Sequence, residues 1–149
     1  MNIVFVGAGK LAWHLAKALS DKGHNISAIY SRKIENATAL AQRVGAVAFN
    51  YIPALPQAAD LYIIAVSDTA IIEVAKKMGD CSLDRVVHTS GATPVAVLES
   101  YFKTCGSFYP LMSFSKEKSL DFQHLPICIY SKEPSFAEEL LALAEDLSG

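Results

Sequence analysis

Three groups of residues in this chain have types and spacings that suit chemistry. The first is Gly7-Ala8-Gly9-Lys10-Leu11-Ala12, a G-x-G-x-x-A run. Such a run can hold a pyrophosphate. One glycine permits a tight turn, a second leaves no Cβ in the way of a phosphate, and a small third residue lets the following helix pack close to the strand. The second group is Ser31-Arg32-Lys33. In an NAD site an acidic residue roughly 20 positions past the glycines bonds the ribose 2′-hydroxyl. Here a hydroxyl and two cations stand there instead. Arg32 can take a 2′-phosphate bidentately and Ser31 can donate a hydrogen bond to it, so the pattern favours NADP over NAD. The plain alternative is a solvated polar turn. The third group is His88, Ser90 and Tyr109, the nearest candidates for a proton donor or a substrate hydrogen bond. His88 lies inside an apolar run and reads first as a hydrogen-bonded core histidine. Ser90 is better placed, at a strand end, and catalysis is assigned to none of the three.

Each group needs elements to position it. Asn2 to Val6 reads as a short apolar strand ahead of the glycines, and Leu11, Leu15 and Leu19 mark a helix after them that ends at Gly23. Lys10, His14, Lys17 and Asp21 form the polar stripe of that helix, which points His14 to water. Trp13 reads as a packing residue, with a wall of the cofactor cleft as the lesser alternative. Lys10 opposes the helix dipole unless a phosphate is bound nearby. Asn25 to Tyr30 is a second strand. Ala37, Leu40, Ala41 and Val44 mark a second helix closed by Gly45, and Ala46 to Phe49 is a third strand. Tyr51 to Ala59, with two prolines, is a loop or a short broken helix.

Asp60 to Val66 is the clearest buried strand. Asp68 or Thr69 can cap the helix that carries Ile71, Ile72, Val74, Ala75 and Met78. Arg85 to Thr89 is a fifth strand, and Thr93 with Pro94 forms an N-cap and N1 pair. Gly106 to Tyr109 is a sixth strand, Pro110 to Phe122 is irregular, and Pro126 to Tyr130 is a seventh strand. Pro134 opens a last amphipathic helix with Phe136, Ala137, Leu140, Leu141, Ala144 and Leu147. Strands alternate with helices throughout. The expected fold is α/β: a doubly wound, mostly parallel sheet of order 3-2-1-4-5-6 with the last strand at an edge.

Composition agrees. The 149 residues suit one domain, and 52% are hydrophobic against 19% charged. The mean hydropathy of +0.27 fits a sheet buried on both faces. No apolar run reaches the length that spans a bilayer, and no basic segment precedes the first strand. The expectation is a cytoplasmic protein with neither membrane span nor signal peptide. A net charge of −2 gives no electrostatic case for nucleic acid. Cys81, Cys105 and Cys128 are odd in number and form no C-x-x-C, so no metal site is expected and buried free thiols are.

The segments VFVGAGKLAWHLAKAL, YSR, DLYIIAVSD, VVHTSGATP and FYPLMSFSK together resemble a family of NADP-dependent oxidoreductases. These pair a Rossmann-like N-terminal domain with a helical C-terminal domain of unassigned function. The domain is similar to those of pyrroline-5-carboxylate reductase, ketopantoate reductase and the deazaflavin-linked NADP oxidoreductases. The resemblance implies that Gly7, Ala8, Gly9, Lys10, Leu11 and Ala12 form the phosphate loop. It implies that Ser31 and Arg32, with Lys33 beside them, read the 2′-phosphate. Val66, Ser67 and Asp68 would lie along the nicotinamide-side ribose, and Ser90 and Gly91 near the nicotinamide. It also implies hydride transfer to or from a small carbonyl, imine or alcohol, with a homodimer in the full-length form. Residues 1–149 correspond to the dinucleotide-binding domain, and the helical domain is expected to be absent from them. A module that binds or senses NADP(H) without chemistry is the alternative.

Overall fold

The structure, a computed structural model, describes residues 1–111, 122–123 and 125–148. The strands are β1 (Asn2–Val6), β2 (Asn25–Tyr30), β3 (Val47–Phe49), β4 (Leu61–Ile64), β5 (Val86–His88), β6 (Cys105–Pro110) and β7 (Ile127–Ser131). The helices are α1 (Lys10–Asp21), α2 (Ile34–Val44), α3 (Ile71–Asp80), α4 (Ala96–Glu99) and α5 (Pro134–Ser148). One sheet runs β3-β2-β1-β4-β5-β6-β7, parallel throughout except for β7, which pairs antiparallel with β6.

Alternation along the strands builds two cores. Ile3 and Phe5 of β1, Leu61 and Ile63 of β4 and Val87 of β5 pack with α1, α2 and α5. Val4, Val6, Tyr62, Ile64 and Val86 face the other way, toward α3 and α4. Right-handed crossovers account for this split: β1 to β3 progress one way and β4 to β6 the other, so their helices fall on opposite faces. The chain reverses between β1 and β4, and that switch point opens a crevice at the carboxyl ends of the strands.

The sequence expectations hold for the strand order and most elements, with four local corrections. His14 is buried, at 5% exposure, because α1 shares its layer with both α2 and α5 and so covers more than one stripe. Neither Asp68 nor Thr69 caps α3; they lie in a 3-10 turn (Asp68–Ala70) that precedes it, and no side chain bonds its first turn. Thr93 is not an N-cap, since α4 starts three residues later with Val95 in that position, and the Thr93 hydroxyl accepts from Ser90. Cys105 is buried as expected, and burial above all pushes its thiol up to about 11, with Glu99 and Asp84 adding to the shift. Cys128 is exposed, because alternate residues of the edge strand β7 face solvent. Trp13 packs between helices: the Arg43 guanidinium lies 4.7 Å over its ring, and Arg43 Nε donates to its carbonyl at 3.3 Å. The segment 112–121, which includes Lys116-Glu117-Lys118 and the whole SFSK run, lies outside the described residues. Among the described residues no helix is long and apolar enough to cross a membrane.

Candidate functional site

The loop after β1 is confined from two sides. Gly7 N donates to Tyr30 O of β2 at 2.8 Å, and Ala65 N, just past β4, donates to Val6 O at 2.8 Å. Gly7 has φ +123°, and a Cβ there would fall on the Ala65 carbonyl. The turn therefore exists only because residue 7 has no side chain. Gly9 is different. Its φ of −81° and ψ of −161° suit any residue, and a Cβ there would meet nothing within 4 Å. The fold leaves open space in front of Gly9.

That space faces the start of α1. Its first helical bond runs from Trp13 N to Gly9 O, at 2.9 Å. The N–H groups of residues 10, 11 and 12 precede that bond and have no partner within the helix. No side chain caps this end and no acid stands in its first turn. Unspent donors, the positive end of the helix dipole and a glycine with room before it together suit a phosphate.

Gly7, Ala8 and Gly9 form one wall of a cleft of about 620 Å³. Ser31, Arg32, Lys33 and Asn36 form its far rim, and Ala65, Val66 and Ser67 lie at the end of β4. The rim is anchored by Ser31 N, which donates to Phe49 O of β3 at 3.1 Å, and by Lys33 N, which donates to Ser31 Oγ at 3.3 Å. The second contact uses an acceptor of Ser31 and leaves its hydroxyl proton free to donate. Like α1, α2 begins without a side-chain cap, at Lys33. Unlike α1, it carries an acid, Glu35, in its first turn, which offsets the positive end of its dipole.

Beyond the cleft, the ends of β5 and β6 carry a second cluster. Thr89 Oγ1 donates to Ile64 O at 3.1 Å and ties β5 to the end of β4. Ser90 N donates to His88 Nδ1 at 3.1 Å. Ser90 Oγ accepts from Ala92 N at 3.1 Å and donates to Thr93 Oγ1 at 3.0 Å. The Tyr109 ring lies so close to Gly91 that a Cβ there would overlap it. His88 is fully buried, and desolvation holds its ring below the ordinary histidine value of 6.5; the Thr93 carbonyl, Asp68 and the Pro94 carbonyl act in the opposite sense.

The structure thus brings together Gly7, Ala8, Gly9, Ser31, Arg32, Lys33, Val66 and Ser67 around one cleft. Lys10, Leu11, Ala12, Asp68, Ser90 and Gly91 do not line it. Ala12 is fully buried in the α1 core, and Lys10 and Asp68 are exposed. Ser90 and Gly91 belong with His88 and Tyr109 in the second cluster. Sequence reasoning missed Tyr30, Asn36, Ala70, Glu73, Val74 and Lys77, which also line the cleft. The last four follow i, i+3, i+4, i+7 spacing and so mark one face from the start of α3. That spacing was a readable signal; that the face borders the end of β4 was not.

A family model described as NADP oxidoreductase, coenzyme F420-dependent, matches residues 2–90. No curated protein matches. Among solved structures, a putative NADP oxidoreductase from Bacteroides fragilis is 37% identical with a TM-score of 0.93, covering 99% of this chain and 58% of its own. A prephenate dehydrogenase from A. aeolicus, in complex with hydroxyphenyl propionate and NAD+, is 18% identical with a TM-score of 0.83; the match covers 100% of this chain and 58% of that one. A pyrroline-5-carboxylate reductase from Coxiella burnetii is 14% identical with a TM-score of 0.77, covering 99% and 56%. The last two likenesses show the fold alone. The chain spans less than three fifths of the length of each of these structures. With a glycine cradle, a cation-rimmed cleft and a family match over residues 2–90, the chain belongs to the NADP oxidoreductase, coenzyme F420-dependent, family.

Proposed function

We propose that this domain binds NADP(H) in preference to NAD(H), with the pyrophosphate at Gly7 to Gly9 and the start of α1, and the 2′-phosphate at Ser31, Arg32 and Lys33. The observation that carries this reading is the shared cleft: the open space at Gly9 and the cationic rim after β2 face one volume. Ser31 stands where an NAD site has an acid, with Arg32 and Lys33 beside it. NADP(H) supplies the hydride when bound; the chain supplies binding, orientation and electrostatics. Lys10, Leu11 and Ala12 act through their backbone N–H groups. Val66, Ser67 and Asp68 extend the path from the pyrophosphate toward Ser90 and Gly91.

The full-length protein, in this reading, adds a helical domain that closes the cleft, completes a homodimer and positions a small carbonyl, imine or alcohol for hydride transfer. Calorimetry with NADPH and NADH tests the cofactor assignment. Tighter binding of NADPH supports it, and equal or inverted affinities refute it.

One observation favours a second reading, NADP(H) binding without chemistry. His88 is fully buried, which keeps its ring from a substrate, and the Ser90 hydroxyl donates to Thr93 within its own turn. Tyr109 is the remaining candidate. A spectrophotometric screen of the full-length protein against carbonyl and imine substrates separates the two readings. Turnover supports the oxidoreductase, and tight NADPH binding without turnover supports the binding module.

A further inference from the structure

The imidazole of His88 is costly where it stands. It is fully buried, at the end of a strand whose other two residues are Val86 and Val87. Its Nε2 has no hydrogen-bond partner among the described residues. An aliphatic residue in this strand would bring no buried polar atom of its own. What the imidazole adds is one acceptor, Nδ1, aimed at Ser90 N at 3.1 Å. An amide can only donate, so Nδ1 carries no proton and the ring is neutral with its hydrogen on Nε2. Burial favours that same neutral form.

The bond fixes a turn rather than extending the sheet. Ser90 is held at both ends: its N–H by His88, its hydroxyl by Ala92 N and Thr93 Oγ1. Gly91 follows, with the Tyr109 ring against it. Pairing of His88 with Ser107 in parallel β5 and β6 sets Tyr109 level with residue 90. Thr89 ties this corner to the end of β4, next to Ala65, Val66 and Ser67 of the cleft. In an open α/β sheet a ligand that starts at the β1 loop continues over the strand ends on the far side of the switch point. The far half of a dinucleotide bound at Gly9 therefore meets the turn that His88 holds.

We infer that His88 is a positioning residue: by accepting the Ser90 amide it sets the Ser90–Gly91 turn, and Tyr109 with it, as the platform for the nicotinamide half of the cofactor. This rests on the NADP(H) reading above. The adenine half depends on Gly9 and Arg32 and does not involve His88.

Half-cofactors separate the two. Calorimetry would use NADPH, 2′,5′-ADP as the adenine-half probe and reduced nicotinamide mononucleotide as the other half. His88→Leu should weaken NADPH and the mononucleotide by about tenfold, the scale of one lost hydrogen bond, and leave 2′,5′-ADP unchanged. His88→Asn, whose side-chain oxygen can take the place of Nδ1, should restore binding, and Gly91→Ala, which displaces the Tyr109 ring, should reproduce the loss. Amide exchange gives a readout free of any ligand: in His88→Leu the Ser90 amide should exchange faster while that of Ile63 does not. Equal loss of both half-cofactors, no loss at all, or Asn behaving like Leu would overturn the inference and leave the cofactor reading standing. If the unaltered chain bound neither 2′,5′-ADP nor NADPH, the cofactor reading would fall and the inference with it.

Discussion

Gly7 and Gly9 stand two residues apart on one loop, and the structure gives them opposite consequences on substitution. At Gly7, alanine would face both a positive φ of +123° and the Ala65 carbonyl. Backbone in a sparsely populated region costs about 1–3 kcal/mol. The overlap adds to this, because the obstacle is a carbonyl whose own chain bonds β1 through Ala65 N. Relief would require parting β1 from β4 at the switch point. Gly7→Ala should therefore lower stability by about 3 kcal/mol or more, a fall in Tm of roughly 6–12 °C for a domain of this size. At Gly9, φ and ψ are ordinary and a Cβ meets nothing within 4 Å. Gly9→Val should cost only about 0.5–1 kcal/mol, the penalty of a poorer N-cap. The valine would occupy the space before the start of α1 and displace a phosphate from donors worth about 1.5–3 kcal/mol each. Losing two such contacts is more than about a hundredfold in Kd. The assay is a thermal melt paired with NADPH titration for each variant. A folded Gly9→Val protein that binds NADPH with unchanged affinity would refute the phosphate cradle. A Gly7→Ala protein with unchanged Tm would refute the steric account of the turn.

Arg32→Ala should weaken NADPH by about 1.5–3 kcal/mol and leave NADH nearly unchanged in parallel titrations; equal loss for both would make Arg32 structural. Because His88 is held below its ordinary value of 6.5, the unfolded chain binds that proton more readily than the folded one. Its contribution to stability is present above that value and is lost as pH falls toward the folded pKa, so Tm should drop on acidification below about 6.5, and less steeply in His88→Asn. Arg85 meets Glu139 at 2.6 Å, with both side chains about a third or more exposed. Glu139→Gln should cost no more than about 1 kcal/mol in a melt at low salt, and raising the salt should shrink the difference.

Local signals made the glycine loop and the cationic rim of the cleft legible. The glycine run, the strand before it and the helix after it are contiguous, so their geometry is written in one stretch of chain. Ser31 and Arg32 follow β2 directly, and right-handed crossover from β1 to β2 leaves that end beside the glycines. Lys33 and the rim followed from the same reasoning. The face of α3 did not: Glu73, Val74 and Lys77 reach the cleft because β4 pairs with β1, an event of 58 residues' separation between Ile3 and Leu61. The polar stripe of α1 misled in the same way. His14 looked solvated because helical spacing describes one neighbour, whereas α1 lies in a layer with two other helices.

The far cluster shows why a residue type alone could not assign its role. By residue type, His88, Ser90 and Tyr109 are candidates for a proton donor or a substrate hydrogen bond, with His88 reading first as a core histidine. The structure keeps all three near one corner and gives them different work. His88 is inaccessible and accepts a bond from the backbone. Ser90 spends its hydroxyl within its own turn. Gly91, which the resemblance puts in the turn near the nicotinamide, is a glycine because the Tyr109 ring occupies the place of its Cβ. That constraint arises between β5 and β6, across 18 residues of chain, and no spacing rule expresses it. A tyrosine seated on a glycine that a buried histidine holds in place is an arrangement for orientation. If chemistry is done here, the tyrosine is the group left with a hydroxyl to offer, and Tyr109→Phe is the substitution that should separate turnover from binding in the full-length protein: loss of rate with unchanged NADPH affinity assigns it the proton, and loss of affinity assigns it to the platform.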